Sequence, residues 1–198
     1  MSVNMNPAGV GAINITDISG MDIETALIMV QSERTKLLDS QLKSQIEEVQ
    51  KRNELTGALN DMQAKLNGMK ATLESKDAKP GDKVSEGAGT PTNKTLATEY
   101  ATQAFKLGMD PAPVTATPIK DAAGNVVGAN VTGMPTREGL EKAIPDLKSK
   151  LDSASNSQQM DMLRLQSLSN KRNEAFDTMT NFIKKMQDSR SSIIGNMR

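Results

Sequence analysis

The sequence predicts a mainly α fold, a long antiparallel coiled-coil helical hairpin from the N- and C-terminal helices with a small mixed α/β insert between them. Three observations carry this reading. Apolar residues recur at steps of three and four over two long stretches, the alternation of a helix seam. Between them, residues 76–145 lose that period. Large core-forming side chains are scarce, with no Trp, one Tyr and three Phe against 13 Met, which favours thin Leu/Ile/Met layers over a bulky globular core.

Residues 1–20 (MSVNMNPAGVGAINITDISG) are rich in Gly, Asn and Ser and carry one charge, Asp17. They read as a disordered leader, and their lack of a basic stretch followed by an apolar core excludes a Sec-type signal peptide. Residues 21–75 form the first coiled-coil helix. Asp22 or Ser19 is placed to cap it, with Glu24 in its first turn. Its apolar positions are Leu38, Leu42, Ile46, Val49, Leu55, Leu59, Met62, Leu66, Met69 and Leu73, and Arg52 or Asn53 fills the one polar gap. From Leu38 to Leu73 such a helix spans roughly 54 Å. Gly57 and Gly68 each cost it about 1 kcal/mol relative to Ala.

The insert, residues 76–145, opens with KDAKPGDKVSEGAGTPTN, a charged Gly/Pro/Thr-rich segment that reads as a mobile loop. A short helix follows from Thr95 to Leu107, capped by Asn93 or Thr95 and stopped by Gly108. Two β-branched runs around DAAGN then predict a β-hairpin, with Pro118 marking an edge. A further short helix is expected from Thr136 to Pro145. The C-terminal coiled-coil helix, residues 146–198, starts near Pro145, where proline suits a first turn. Its expected seam runs Leu147, Leu151, Ala154, Gln158, Met162, Leu165, Leu168, Arg172, Phe176, Met179, Ile183, Met186, Arg190, Ile193, Met197. The poor helix formers from Ser153 to Gln159 predict a break or kink, with Ser155 or Asn156 capping a restart.

Composition narrows the function classes. Lys+Arg and Asp+Glu number 24 each, so no net field draws the chain to nucleic acid or an anionic membrane. The longest apolar run, Ala26 to Val30, is far short of the roughly 20 residues that span a bilayer, which argues against a pore-forming role. With no His and no Cys, the commonest metal ligands, thiol chemistry and the usual base near neutral pH are missing. Carboxylates sit on solvated helix faces beside bases, as Asp39 does beside Lys43, and no catalytic constellation emerges. The expectation is a protein that is not an enzyme and takes no cofactor or metal. GAGTPTNKT has a surface likeness to a phosphate loop but lacks the Gly-Lys-Ser/Thr ending and follows no strand. The Asn-x-Thr triplets at Asn14, Asn93 and Asn130 carry no weight without a secretory signal.

The segment FDTMTNFIKKMQDSRSSIIGNMR holds Phe176 and Phe182 and keeps its apolar steps up to Ile193, Ile194 and Met197. A seam maintained that far implies a cover, from the first helix (IETALIMVQ) or from another subunit. Met62, Met69, Met179 and Met186 are read as core; for Met197, core and intermolecular contact both stand.

These residues carry a resemblance. NSQQMDMLRLQSLSNKRNEAFDTMTNFIKKMQDSRSSIIGNM is similar to the C-terminal helix of type III secretion needle-tip proteins, with a Ser-Gln opening, an Asn-centred middle and apolar steps to the end. MDIETALIMVQSERTKLLDSQLKSQIEEVQKRNELTGALNDMQAKL resembles the first helix of the small filament-forming members of that group. The likeness covers residues 21–73 and 155–198 and leaves the insert unmatched. It implies a secreted hydrophilic protein that assembles at the bacterial cell surface, at the tip of the secretion needle, or extends there as a filament supporting translocator insertion into a host membrane. Implied partners are further copies of itself, the needle subunit and the pore-forming translocator proteins; whether a cytosolic chaperone holds it before export is left open. By position the resemblance gives the assembly role to Phe176, Met179, Phe182, Ile183, Met186, Ile193 and Ile194. Two other readings stand beside it: a flagellar-type axial filament protein, and an intracellular coiled-coil adaptor or export chaperone.

One internal repeat adds a structural expectation. KRNE occurs at residues 51–54 and again at 171–174. In an antiparallel hairpin that sets Leu73 against Lys150, Arg52 faces Lys171 and Lys51 faces Arg172. Arg52, Asn53, Arg172 and Asn173 are then expected to form a polar layer that fixes helix register.

Overall fold

The computed structural model describes residues 22–73 and 79–196, with only the backbone course given for residues 193–196. Some 72% of the described residues are helical, and two long helices flank a small two-stranded antiparallel sheet. The elements are α1 (Ile23–Ala71), α2 (Asn93–Lys106), β1 (Thr115–Lys120), β2 (Val126–Gly133) and α3 (Arg137–Asn196). The chain divides into two compact units. One joins residues up to 49 with those from 160 onward; the other is Gln50–Gln159. The expected leader, residues 1–20, lies outside the described residues.

Asp22 starts α1 as expected. The Thr25 backbone N–H donates to its Oδ1 at 2.7 Å and the Thr25 hydroxyl to its Oδ2 at 3.1 Å. These donors, the backbone one first, hold the Asp22 carboxyl below its ordinary range.

The Gln50–Gln159 unit holds the apolar core. Leu59, Met62, Leu66 and Met69 from α1 pack with Ala97, Tyr100, Ala101 and Ala104 of α2, Ala129 of β2 and Leu140 and Leu147 of α3. The small alanines of α2 let that helix lie close to its neighbours, and the methionines fill the remaining space. Thr92, rather than Asn93 or Thr95, caps α2, its hydroxyl accepting from the Thr95 N–H. Asn93 is instead fully buried, its amide donating to the Thr72 hydroxyl (2.9 Å) and the Ser85 carbonyl (2.8 Å). It ties the end of α1 to the loop and to α2. Gly108, at φ +68°, ends α2 as expected: Met109 N–H returns to Ala104 O and Gly108 N–H to Phe105 O.

The β-hairpin forms as the sequence predicts. β1 and β2 pair antiparallel from Thr115↔Gly133 to Lys120↔Val126, with irregular register at both ends. Asp121 organises the turn, accepting from the Ala123 and Asn125 N–H groups, and Gly124 supplies φ +86°.

The start of α3 corrects two expectations. No separate helix ends at Pro145; one helix of 60 residues begins at Arg137 and carries Pro145 inside it. An interior proline removes one helix hydrogen bond at a cost of about 3 kcal/mol. Burial of Leu140 and Leu147 on either side of it offsets that cost. Likewise Ser153–Gln159 stays helical without a break, and the Ser157 hydroxyl bonds back to Ser153 O within the helix (3.0 Å). The α3 start is satisfied by the preceding loop: Arg137 N–H donates to Asp82 O, Glu138 N–H to Pro80 O and Gly139 N–H to the Thr136 hydroxyl. The described part of the segment expected to be a mobile loop is therefore anchored, with Val84 buried and its N–H on Pro135 O. The mixed unit takes in parts of both long helices.

Candidate assembly surface

In the two-helix unit, cross-helix contacts run in opposite order along the two chains: Gln45 meets Asp161, Asp39 meets Arg172 and Glu24 meets Arg190. On α1 the side chains at 28, 31, 35, 38, 42, 45 and 49 are all buried or half-buried. On α3 the same holds at 161, 165, 168, 175, 179, 182 and 186. Both series alternate steps of three and four, apart from the gap at 172, where exposed Arg172 pairs with Asp39. The face is thin in apolar bulk, because Gln31, Thr35, Gln45 and Asp161 occupy positions that Leu or Ile would fill in a stable seam. Gln45 Nε2 donates to Asp161 Oδ1 at 3.4 Å, and both residues are buried.

The seam expected on α3 slips by one residue at two positions. Asp161 is buried where Met162 was expected, and Met162 is 64% exposed. Ala175 is buried where Phe176 was expected, and Phe176 is 53% exposed. Phe182 and Ile183 are both half-buried, with Phe182 on the alternating series. Met179 and Met186 are half-buried as well. Ile193 and Ile194 lie on the backbone course of α3 and their side chains fall outside the described residues, as does Met197.

The residues of the expected polar layer fall in both units. Arg52 and Asn53 belong to the mixed unit, and Arg172 and Asn173 to the two-helix unit. Asn53 Oδ1 accepts from Gln158 Nε2 at 2.7 Å, Arg172 Nε donates to Asp39 Oδ1, and Asn173 is exposed. Arg52 is half-buried. Asn53 and Asp39 each meet a residue twelve positions earlier than a closure at Leu73 and Lys150 would give.

Sequence reasoning missed the apolar side chains left uncovered on α1: Ile23 at 80%, Val30 at 44%, Leu37 at 41% and Leu27 at 39% exposed. Their signal was available as steps of four, three and seven, in a segment read only as a cover for the C-terminus. Among the described residues no group of three or more acidic, His or Cys side chains is placed to hold a metal ion, and no helix is long and apolar enough to cross a membrane. Comparison with protein families, characterised proteins and solved structures returns no match.

Proposed function

We propose that this chain is a non-catalytic assembly subunit whose two-helix unit forms an antiparallel coiled-coil hairpin and packs against further copies. The observation that carries this is the exposure of large apolar side chains on both helices, Ile23, Val30, Leu37, Met162 and Phe176 among them. Large exposed apolar patches mark interaction sites in soluble proteins. The polar residues in the seam add support, since they weaken the intramolecular pairing relative to an all-apolar coiled coil.

The setting we propose is the type III secretion apparatus, with the protein exported and assembled as a needle-tip complex or tip filament. Its support is the resemblance of residues 21–73 and 155–198 to those proteins. The scarcity of aromatics and absence of Cys also suit threading through a narrow conduit. A secretion assay combined with electron microscopy of the released protein tests this. Export with short tip rings or thin flexible fibres supports the proposal. Stiff tubes of flagellar dimensions indicate the axial-filament reading, and a protein that stays in the cytosol when the apparatus is induced indicates an adaptor or chaperone.

A further inference from the structure

Met160, Met162 and Leu163 stand together on α3, and all three are exposed, at 64%, 64% and 61%. Their placement follows from the helix period. At about 100° per residue, buried Asp161 faces the seam, and Met162, Leu163 and Met160 fan over the opposite half of the helix in an arc of about 160°. Both thioethers therefore lie away from the Gln45–Asp161 pair.

Among the described residues these are the two exposed methionines. Met62 and Met69 are fully buried in the core of the mixed unit, Met134 is buried as well, and Met29, Met109, Met179 and Met186 are half-buried. A thioether is soft, and its oxidation by oxygen-transferring reagents follows its access to solvent. The chain has no Cys, so no thiol competes for such a reagent.

We infer that Met160 and Met162 form a reversible oxidation site for peroxides, which turns the exposed apolar cluster on α3 polar without unfolding the helix. In each event a sulfur lone pair attacks one oxygen of hydrogen peroxide. An S–O bond forms and the O–O bond breaks. The hydroxide released takes the proton from the sulfur-bound oxygen and leaves as water. The sulfur is oxidised by two electrons and the peroxide is reduced by two. The sulfoxide is polar, so two of the three members of the cluster no longer offer apolar surface. Sulfoxide reductases, one for each sulfoxide epimer, restore the thioether with a dithiol as reductant. Because the buried position here is Asp161 and not a methionine, the added oxygens leave the Gln45–Asp161 pair in place. The same step at Met62 or Met69 would put a polar group into the core and disrupt its packing. The inference uses burial and thioether chemistry, and stands independently of the assembly reading.

Timed exposure of the full-length chain to hydrogen peroxide, quenched with free methionine and read by peptide mass mapping, tests the site. Met160 and Met162 should each gain one oxygen faster than Met62 and Met69 by a factor on the order of ten or more, since a buried thioether is reached only through opening of the fold. At that point circular dichroism should be unchanged and retention on a hydrophobic column should fall. Treatment with the two sulfoxide reductases and dithiothreitol should restore the retention. In Met160→Leu/Met162→Leu, which keeps the cluster apolar, most of the fall should be lost. Equal oxidation rates at the exposed and buried methionines, or loss of helix once residues 160 and 162 are oxidised, overturn the inference. So does a double variant whose retention falls as far as that of the wild type, or a fall that the reductases do not reverse.

Discussion

Gln45 of α1 and Asp161 of α3 are buried together in the two-helix seam, 8% and 4% exposed, and the amide Nε2 donates to the carboxylate Oδ1. Such a pair holds register more than it stabilises, because taking a carboxylate and an amide out of water costs nearly what their hydrogen bonds return. Removing one partner leaves the other buried and short of a bond. We expect Asp161→Leu alone to cost about 1–3 kcal/mol, and Gln45→Leu with Asp161→Leu to recover the wild-type stability or exceed it. Urea unfolding of both single variants and the double variant gives the coupling. Strictly additive losses would show that the two side chains act independently.

A contrast between two apolar sites follows from burial. Leu66 is fully buried in the mixed unit, so Leu66→Ala removes packed volume and should cost about 2–5 kcal/mol. Phe176 is half exposed, and Phe176→Ala should stay within about 0.5–1 kcal/mol when measured on dilute, unassembled protein. Thermal denaturation at low concentration distinguishes the two. Comparable losses at both positions would mean that Phe176 is packed inside the chain rather than presented by it.

Where local chemistry was strong, the sequence could be read directly. The Asp22 cap, the Gly108 stop and the Asp121–Gly124 turn each rest on a residue type that few others can replace. The α3 seam was harder, because expectation followed side-chain size where the fold follows period. Met162 and Phe176 are larger than Asp161 and Ala175, yet strict alternation of three and four from Leu165 and Leu168 turns the smaller residues inward. That rule also makes Phe176 a surface residue. Pro145 and Ser153–Gln159 misled for a related reason. Local propensity argues for breaks there, and burial of Leu140 and Leu147 overrides it at the proline. The KRNE repeat is no guide to pairing, since identical tetrapeptides say nothing about where the chain closes.

Tyr100 gives the mixed unit a pH limit on the alkaline side. It is buried, and its hydroxyl donates to the Ala112 carbonyl at 2.7 Å. Burial, followed by the nearby Asp110 carboxylate, pushes its phenol up to about 12 from an ordinary value of 10.0. The folded state thus holds the proton where the unfolded chain releases it. Stability from this group is complete below pH 10 and is lost as the pH rises toward 12, by on the order of 2 kcal/mol. Tyr100→Phe loses one hydrogen bond, about 1 kcal/mol, at neutral pH but lacks this further decline. Unfolding midpoints from pH 9 to 12 for both proteins test the difference. The chain has a single tyrosine, so phenolate absorbance follows this residue alone, and ionisation near pH 10 in the folded state would refute the argument.

Two helical glycines should respond in opposite directions to the same substitution. In an unobstructed helix interior, Gly→Ala reduces the entropy of the unfolded chain and gains up to about 1 kcal/mol. Gly57 in α1 meets that condition, for an added Cβ would find nothing within 4 Å. At Gly139, in the first turn of α3, the same Cβ would lie 2.9 Å from Pro113 Cβ and 3.3 Å from the Thr136 hydroxyl oxygen. Pro113 is a rigid ring, and Thr136 is fixed by its bond from the Gly139 N–H, so neither neighbour can move without loosening the start of α3. Gly57→Ala should therefore raise the denaturation midpoint, and Gly139→Ala should lower it despite the better helix propensity of alanine. A gain at Gly139 would mean that the loop carrying Pro113 moves aside more easily than its packing implies.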